Sequence, residues 1–267
     1  PVGYSLAHAK VRDYLLGEIR ALGLEPQVQD TFAYFVSPGA FVGGYVENII
    51  VRLPGTNPEG AILLMSHYDS SPGAPGAVDS GSGVVTILEL LRALHASTPL
   101  CQDVIILFSD GEEPGTLGAQ AFVSQHPWLE DIRLAINMDQ FWVGPPVLVR
   151  SSQVNGMLIQ AMAHSSLSNK PAHISFPFDL FPSGNTDLSP FILAGVPSAE
   201  FNGGGPFTEK HTILDRPGLI DPGSLQQAGN QMLALVRELG NQPTLDTRVS
   251  DQTFFSVMGF LVHYPSK

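Results

Sequence analysis

Two short apolar runs constrain the fold of this chain more than any other feature of its sequence. Residues 61–65 and residues 104–108 each contain only apolar side chains over five consecutive positions. A strand with one face in water alternates apolar and polar residues, whereas these runs are typical of strands that are buried on both faces. Such strands occur in sheets with helices packed on both sides. The runs therefore predict the centre of an α/β sheet.

Acidic and histidine side chains recur where predicted strands give way to loops. These residues are His67, Asp69, Asp79, Glu112, Glu113, Asp139 and His211. In an open α/β sheet, ligands bind in the crevice beyond the carboxyl ends of the strands. We therefore expect these side chains to share one site.

Glu112 and Glu113 indicate what kind of site this is. Adjacent carboxylates repel one another, so burying both near further acids requires compensating positive charge. No lysine or arginine adjoins them in sequence, which favours a metal ion. Zinc binds imidazole nitrogen and carboxylate oxygen, the two ligand types present here. The remaining histidines lie outside any ligand-like pattern and are expected to be structural: His8, His95, His126, His164, His173 and His263.

Five ordered motifs resemble those of the co-catalytic zinc aminopeptidase superfamily, which also contains the glutaminyl cyclases. They are LMSHYDS at 64–70, GAVDSGSG at 76–83, LFSDGEE at 107–113, INMD at 136–139 and KHTILD at 210–215. The resemblance extends from about residue 45 to about residue 240. It implies a zinc exopeptidase-like fold with about eight strands.

The resemblance also implies a pair of zinc ions with Asp79 as the carboxylate that bridges them. A bridging anion screens the repulsion between two metals a few ångströms apart. His67 and Asp139 would complete the first zinc site. Glu113 and His211 would complete the second.

Glu112 and Asp69 have other roles in this scheme. Glu112 would be the general base, which takes a proton from water and passes it to the leaving amine. Asp69 stands two residues after His67 and resembles the carboxylate that fixes the tautomer of a metal-binding imidazole.

Three positions depart from the family pattern. Ser80 follows Asp79 where many aminopeptidases have Asp or Asn, and an Asp-Ser pair also occurs in glutaminyl cyclases. Lys210 stands where a tyrosine is common; as a cation it could polarise the scissile carbonyl, or it could point into solvent. Leu188 follows Asp187 where several aminopeptidases have histidine. We expect Asp187 to be a helix N-cap.

A glycine-rich segment, residues 202–206, precedes His211. Its glycines permit close approach of the backbone, so Asn202 and Gly203, with Lys210, are candidate substrate-binding residues at a wall that recognises a peptide terminus. A plain surface turn is the alternative.

The order of predicted elements alternates strands and helices, without internal repeats. Helices are expected at 5–22, 83–95, 116–125, 154–164, 187–193 and 224–238, and further strands at 28–35, 46–53, 134–138 and 147–149, with a loop or hairpin connection at 37–44. This order predicts a three-layer α/β/α sandwich around a central mixed, mainly parallel sheet.

Composition is consistent with one catalytic domain spanning residues 1–267. The chain is 43% hydrophobic and 14% charged, as in ordinary globular proteins. No apolar stretch reaches the roughly 18 residues of a membrane-spanning helix.

The net charge of the chain is −12. Two zinc ions would offset about four of these charges, and the remaining acidic surface would repel nucleic acid. Cys101, the single cysteine, excludes an intrachain disulfide.

Within the superfamily, the chain is most similar to the branch of endoplasmic-reticulum metallopeptidases and vacuolar membrane proteases. The similarity lies in QHPW at 125–128 and in SGNTD at 183–187 followed by Phe191. It implies an extracytoplasmic peptidase domain joined to transmembrane helices. The abrupt opening at residues 1–3 and the apolar stretch 254–264 fit such a tethered protein, with 245–267 leading towards a removed membrane region. The alternative for this tail is a last strand or helix packed on the domain.

These features predict a zinc-dependent aminopeptidase that binds peptides with a free N-terminus. One alternative is a glutaminyl cyclase-like acyltransferase that uses a single zinc held by Asp79, Glu113 and His211. Another is a binding ectodomain without catalysis, although such domains usually lose metal ligands and none is missing here.

Overall fold

The architecture is seen in a computed structural model that describes residues 2–37, 39–152, 155–165, 186–204, 208–246, 249–257 and 260–266. Some positions used in the sequence analysis lie outside these ranges. They are residue 1, Pro38, Val154, residues 166–185 with His173, Gly205 and Pro206, residues 247 and 248, residues 258 and 259, and residue 267.

The described part of the chain contains six α-helices, nine strands and two short 3-10 helices, Pro127–Asp131 and Pro217–Leu219. The helices are α1 (Leu6–Ala21), α2 (Gly81–His95), α3 (Leu117–Gln125), α4 (Gly156–His164), α5 (Leu188–Leu193) and α6 (Pro222–Gly240). The strands are β1 (Gln27–Ser37), β2 (Ala40–Leu53), β3 (Ala61–His67), β4 (Asp103–Ser109), β5 (Ile132–Met138), β6 (Val143–Ser151), β7 (Ser198–Gly204), β8 (Gln252–Val257) and β9 (Phe260–Pro265).

Seven strands form one mixed sheet in the order β1-β2-β4-β3-β5-β7-β6. The four central strands β4, β3, β5 and β7 are parallel, whereas β1, β2 and β6 run antiparallel to their neighbours. The predicted α/β fold with parallel central strands is confirmed. Because the central strands are parallel, their carboxyl ends meet at one edge of the sheet.

The apolar runs are buried on both faces, as predicted. In β3, Ile62 and Leu64 pack into a core shared with α1, α2, α4 and α6. Leu63 and Met65 point to the other face, where they pack with Phe122 of α3 and with residues of α5. All seven residues of β3 are buried, and so are all seven of β4. This double burial fixes the strands that carry the site.

Of the loop or hairpin expected at 37–44, the hairpin is observed: β2 already begins at Ala40 and pairs with β1. β7 was not predicted, because glycines and polar residues interrupt its apolar pattern. The tail takes the form given as the alternative, strands packed on the domain: β8 pairs antiparallel with β9, and Phe254 packs into the core. Among the described helices, none has the length and apolar character needed to cross a membrane.

Candidate metal centre

The predicted site residues gather at the carboxyl edge of the central strands. His67 is the last residue of β3, Asp139 directly follows β5, and Glu112 and Glu113 follow β4 by a few residues. Asp79 lies just before α2, and His211 lies in the segment between β7 and α6. The parallel strands therefore bring together acids and histidines that are far apart in the sequence.

A first cluster consists of His67, Asp79 and Asp139, all buried. His67 Nε2 lies 3.2 Å from Asp79 Oδ1 and 3.3 Å from Asp139 Oδ1. The other ring nitrogen, Nδ1, faces Asp69, at 3.2 Å from its backbone oxygen and 3.4 Å from Oδ1. A proton on Nδ1 would therefore be shared with Asp69, which leaves the Nε2 lone pair directed at the two carboxylates.

A second cluster consists of Asp79, Glu113 and His211. His211 Nε2 lies 3.2 Å from Asp79 Oδ2 and 3.0 Å from Glu113 Oε2. The side chain of His211 is half-exposed, whereas Asp79 is buried. The two oxygens of Asp79 thus face different histidines, Oδ1 towards His67 and Oδ2 towards His211. In both clusters the candidate ligand atoms lie within 4.8 Å of one another.

The two clusters fit zinc by their donor atoms and by their unsatisfied oxygens. Among the described residues, the buried atoms Asp79 Oδ2 and Asp139 Oδ1 accept no well-aligned hydrogen bond; their polar neighbours are Lys210 and His211 for Asp79 Oδ2, and His67 for Asp139 Oδ1. Burial raises the pKa of Asp79, but His211, His67 and Lys210 lower it further, so the net pKa falls well below the usual range. Buried carboxylate oxygens that converge with imidazole nitrogens are what a metal cation stabilises.

Glu112 belongs to neither cluster. Its Oε2 lies 4.0 Å from His67 Nε2, close to the first cluster. Burial raises the pKa of Glu112 well above its usual value; His67 opposes this shift, while Asp187 and Asp139 add to it. A carboxylate that lies beside the candidate metal ligands and belongs to neither cluster is suited to accept and return a proton.

Asp69 and Ser71 position the loop that carries the two glutamates. The carboxylate of Asp69 accepts the backbone N–H of Glu112 at 3.0 Å and that of Glu113 at 3.2 Å. Ser71 donates its backbone N–H to Glu113 Oε1 at 3.0 Å and its hydroxyl to Glu113 Oε2 at 2.6 Å. The β3–α2 connection therefore orients Glu113 and holds the backbone of Glu112.

Lys210 points into the site. Its Nζ lies 3.1 Å from Asp79 Oδ2, so of the two orientations expected from the sequence, the inward one is observed. Burial lowers the pKa of Lys210, but Asp139, Asp79 and Glu112 raise it more, and the amine remains charged. A fixed cation therefore stands beside the shared carboxylate.

Asn202 and Gly203 belong to β7, so the expectation of a plain surface turn is wrong for 202–204. Asn202 Oδ1 accepts the backbone N–H of Gln140 at 3.4 Å, and Gly203 donates its N–H to Gln140 O at 2.7 Å. A Cβ on Gly203 would lie 3.0 Å from Phe141 Cα. The absence of a side chain at Gly203 lets β7 pack closely against the segment that follows Asp139.

Three buried acids at the site were not predicted as functional residues. Asp187 stands at the N-cap position of α5, but its side chain caps nothing; it accepts the hydroxyl of Ser109. The predicted capping role is therefore wrong, because a partner distant in sequence competes for the carboxylate.

The other two acids are Glu200 and Asp215. Glu200 in β7 accepts the hydroxyl of Thr186 at 2.8 Å. Asp215, the last residue of the KHTILD motif, is fully buried. Its place in that motif was the only sequence signal.

Comparison with known proteins gives a family match over most of the chain. The sequence model of peptidase family M28 matches residues 48–236. Endoplasmic reticulum metallopeptidase 1 of Mus musculus is 33% identical over 249 residues, covering 85% of this chain and 27% of the mouse protein. The vacuolar membrane protease of Candida glabrata is 32% identical over 223 residues, covering 79% of this chain and 23% of that protein. The chain thus spans about a quarter of the length of these relatives.

Solved structures with a similar fold include both expected enzyme types. Porphyromonas gingivalis glutaminyl cyclase superposes with a TM-score of 0.73 at 21% identity, covering 89% of this chain and 92% of that one. BSAP, a zinc aminopeptidase from Bacillus subtilis, superposes with a TM-score of 0.61 at 25% identity, covering 79% and 55%. Together with the family model and the relatives above, the similarity to the zinc aminopeptidase confirms the expected superfamily.

Proposed function

The chain belongs to peptidase family M28, and on this basis we propose that it is a zinc-dependent aminopeptidase that removes N-terminal residues from small peptides. The observation that carries the proposal is the shared carboxylate. Asp79 presents one oxygen to His67 and the other to His211, so two sets of three ligands meet at one residue. This arrangement supports a pair of zinc ions per chain, with Asp79 as the bridge.

In this proposal each side chain of the centre has a separate task. His67, Asp79 and Asp139 would hold one zinc ion, and Asp79, Glu113 and His211 the other. Bound zinc supplies Lewis acidity, which polarises a carbonyl group and lowers the pKa of water.

Glu112 has the position expected of the general base, because it lies beside the first cluster without belonging to either cluster. It would take one proton from the attacking water as the water oxygen bonds to the scissile carbonyl carbon. It would then return that proton to the amine nitrogen as the C–N bond breaks. Asp69 would keep Glu112 in place by accepting the backbone N–H of Glu112, and it would orient His67 at the same time.

Lys210, Asn202 and Gly203 are proposed to recognise the substrate. The ammonium group of Lys210 would stabilise the negative charge that develops on the scissile carbonyl oxygen. Asn202 and Gly203 in β7 would form a wall near the shared site. The surplus of carboxylates around the centre would attract the α-ammonium group of a free N-terminus.

The glutaminyl cyclase alternative uses fewer of the residues that the fold brings together. A single zinc held by Asp79, Glu113 and His211 leaves His67 and Asp139, whose Nε2 and Oδ1 lie 3.3 Å apart, without a metal to bind. The likeness to a cyclase structure at 21% identity concerns the fold alone. We therefore favour the aminopeptidase over the cyclase, and over a binding ectodomain that has no need of Glu112.

The setting of the domain is also a proposal. Because one relative is a vacuolar membrane protease, we propose that this peptidase domain works outside the cytosol within a membrane-tethered protein. Residues 1–267 would form its single peptidase domain, and the acidic chain would have no nucleic-acid partner.

A panel of three substrate types tests the proposed function. We expect zinc-loaded protein to release amino acids from peptides with a free α-amine and to leave the same peptides intact when they are acetylated. Rapid internal cleavage of acetylated peptides would contradict an aminopeptidase while keeping a metallopeptidase. Cyclisation of N-terminal glutamine without hydrolysis would establish the cyclase instead. Binding of peptides without turnover would identify a binding domain.

A further inference from the structure

The segment that carries His211 is folded by its own hydrogen bonds and anchored to the loop of Asp79. On the side that precedes His211 a turn closes the segment, because Thr212 donates its backbone N–H and its hydroxyl to Glu209 O, at 3.2 and 2.7 Å. His211 itself has a φ of 60°, in the left-handed region that residues other than glycine adopt rarely. Such a conformation persists only where the surroundings hold it in place.

On the other side, Asp215 joins this segment to the loop of Asp79. Its Oδ1 accepts the backbone N–H of Val78 at 2.8 Å, and its Oδ2 accepts that of Asp79 at 3.2 Å. The backbone of Asp215 adds a third link, because its carbonyl accepts the N–H of Ala77 at 3.4 Å. The residue is fully buried, so water does not compete for these bonds.

This link joins two of the three ligands of the second cluster. Asp79 and His211 come from different loops, and Asp215 is four residues beyond His211 and bonded directly to the N–H of Asp79. The first cluster contains no residue of the His211 segment. Asp79 belongs to both clusters, but on the side of the first cluster its neighbour Ser80 donates its hydroxyl to Asp139 O, a contact that does not involve Asp215. A change in the link therefore alters the separation of ligands mainly in the second cluster.

We propose that Asp215 is a positioning residue that sets the distance between Asp79 and His211, and so selectively controls zinc binding at the second site. The inference rests on the proposed function for the presence of two zinc sites. Its physical basis is the pair of acceptor oxygens. A carboxylate can accept from two backbone N–H groups at once, whereas an amide of the same shape accepts with one atom and presents a donor with the other.

Asp215→Asn is the matched substitution, because it keeps the size of the side chain and removes one acceptor. We expect zinc affinity at the second site to fall by about ten-fold or more, the usual effect of losing a residue that orients a metal ligand. Zinc content after dialysis against increasing chelator, measured by elemental analysis, should drop from two ions to one at chelator concentrations that leave the unmodified protein full. Excess zinc should restore kcat with little change in KM.

Asp221→Asn provides the control. Asp221 is also an acid that accepts a backbone N–H, that of Ser224 at 2.7 Å, but it caps α6 and contacts neither cluster. This variant should keep both zinc ions. A merely structural Asp215 would instead lower the thermal stability of the zinc-free protein while leaving its zinc affinity unchanged, which would overturn the proposal.

Combined variants identify which ion is lost. Added to His211→Ala, which already removes the second site, Asp215→Asn should have no further effect on zinc content. Added to His67→Ala, it should remove the remaining ion. Equal losses in both backgrounds would contradict a site-selective role.

A longer side chain provides an independent test should Asp215→Asn fail to fold. Asp215→Glu keeps the charge and both acceptor oxygens but lengthens the link by one carbon–carbon bond, about 1.5 Å. We expect the same selective loss of the second ion, and two ions held with unchanged affinity would refute the proposal. Hydrolysis is measured separately from zinc content. If the variant loses the second zinc ion but neither the variant nor the unmodified protein cleaves peptides with a free α-amine, only the proposed function is refuted.

Discussion

Asp69 Oδ1 accepts a hydrogen bond of 3.0 Å from the backbone N–H of Glu112. The same oxygen lies 3.4 Å from His67 Nδ1. One carboxylate therefore contacts both a proposed zinc ligand and the backbone of the proposed general base. The resemblance to the zinc aminopeptidases implied the contact between Asp69 and His67, but not the contact between Asp69 and Glu112. Because of the contact with Glu112, a single residue, Asp69, positions both the proposed general base and the proposed metal site. Substitutions at these residues are therefore informative.

Asp69→Asn should impair zinc binding and turnover together. The amide would accept one backbone N–H fewer and would no longer stabilise a proton on His67 Nδ1. We expect a loss of about 10- to 100-fold in zinc affinity or in kcat/KM. Zinc titration and steady-state kinetics measure the two effects. Asp13→Asn, a change at an exposed acid paired with Arg12, is the control and should match the unmodified protein.

Glu112→Gln should separate catalysis from metal binding. Because Glu112 lies in neither ligand cluster, we expect zinc content to stay the same while kcat falls by two orders of magnitude or more. Glu113→Gln, the neighbouring control, should weaken zinc binding at the second site. Elemental analysis and turnover assays on both variants check this. If Glu112→Gln emptied a zinc site but kept full activity in excess zinc, the two roles would be reversed.

Zinc content should be two ions per chain in protein saturated with zinc. His67→Ala and His211→Ala should each reduce it to one, because each removes a ligand from a different cluster. Anomalous scattering at the zinc edge would locate the ions. A single peak at saturating zinc, with His67 and Asp139 unliganded, would exclude the two-zinc centre.

Gly83→Ala should destabilise the fold next to the site. A Cβ at Gly83 would lie 2.0 Å from Met138 O, so α2 would be pushed away from the end of β5 that carries Asp139. We expect a loss of about 1–3 kcal/mol in the free energy of unfolding, typical of overpacking. Urea unfolding of zinc-free protein measures it.

Gly229→Ala is the control for that substitution. Gly229 lies in α6, and a Cβ there would meet no atom within 4 Å. This variant should gain about 0.5–1 kcal/mol, because alanine restricts the unfolded chain and favours helix. Equal effects of the two substitutions would refute the close contact at Gly83.

Glu200 should make zinc-free protein less stable as pH rises. Burial, with a contribution from Asp139, raises the pKa of Glu200 to about 7, from an ordinary value of 4.5. The unfolded chain releases this proton first, so stability is greatest below the unfolded pKa and declines until pH passes the folded pKa. The glutamine side chain of Glu200→Gln has no charge at any of these pH values. The substitution should therefore reduce the loss of stability between about pH 5 and about pH 8 by roughly 3 kcal/mol at most. Unfolding curves at the two pH values check this, and an unchanged decline would contradict it.

Sequence reasoning was most successful where a local pattern determines the environment. The uninterrupted run in β3 predicted burial on both faces, and Leu63 and Leu64 do pack into different cores. It was also successful for side chains at or directly beyond strand ends, such as His67 at the end of β3 and Asp139 after β5, because parallel strands end at one edge.

The structural features that were missed depend on partners that are distant in sequence. Asp187 has the local context of an N-cap, but Ser109, 78 positions away, engages its carboxylate. The strand β7 contains Glu200 and two glycines, and it is placed by its neighbours β5 and β6 rather than by its own pattern. No local spacing indicated that Asp215 would reach the loop of Asp79.

The bond between Asp215 and Val78 spans 137 positions of sequence. A ribosome therefore releases the loop of Asp79 long before the residue that anchors it. The three members of the first cluster have all been synthesised once Asp139 has been added, whereas the second cluster waits for His211. In a growing chain, the two halves of the centre become complete at different times, and the half that depends on Asp215 is the last to form.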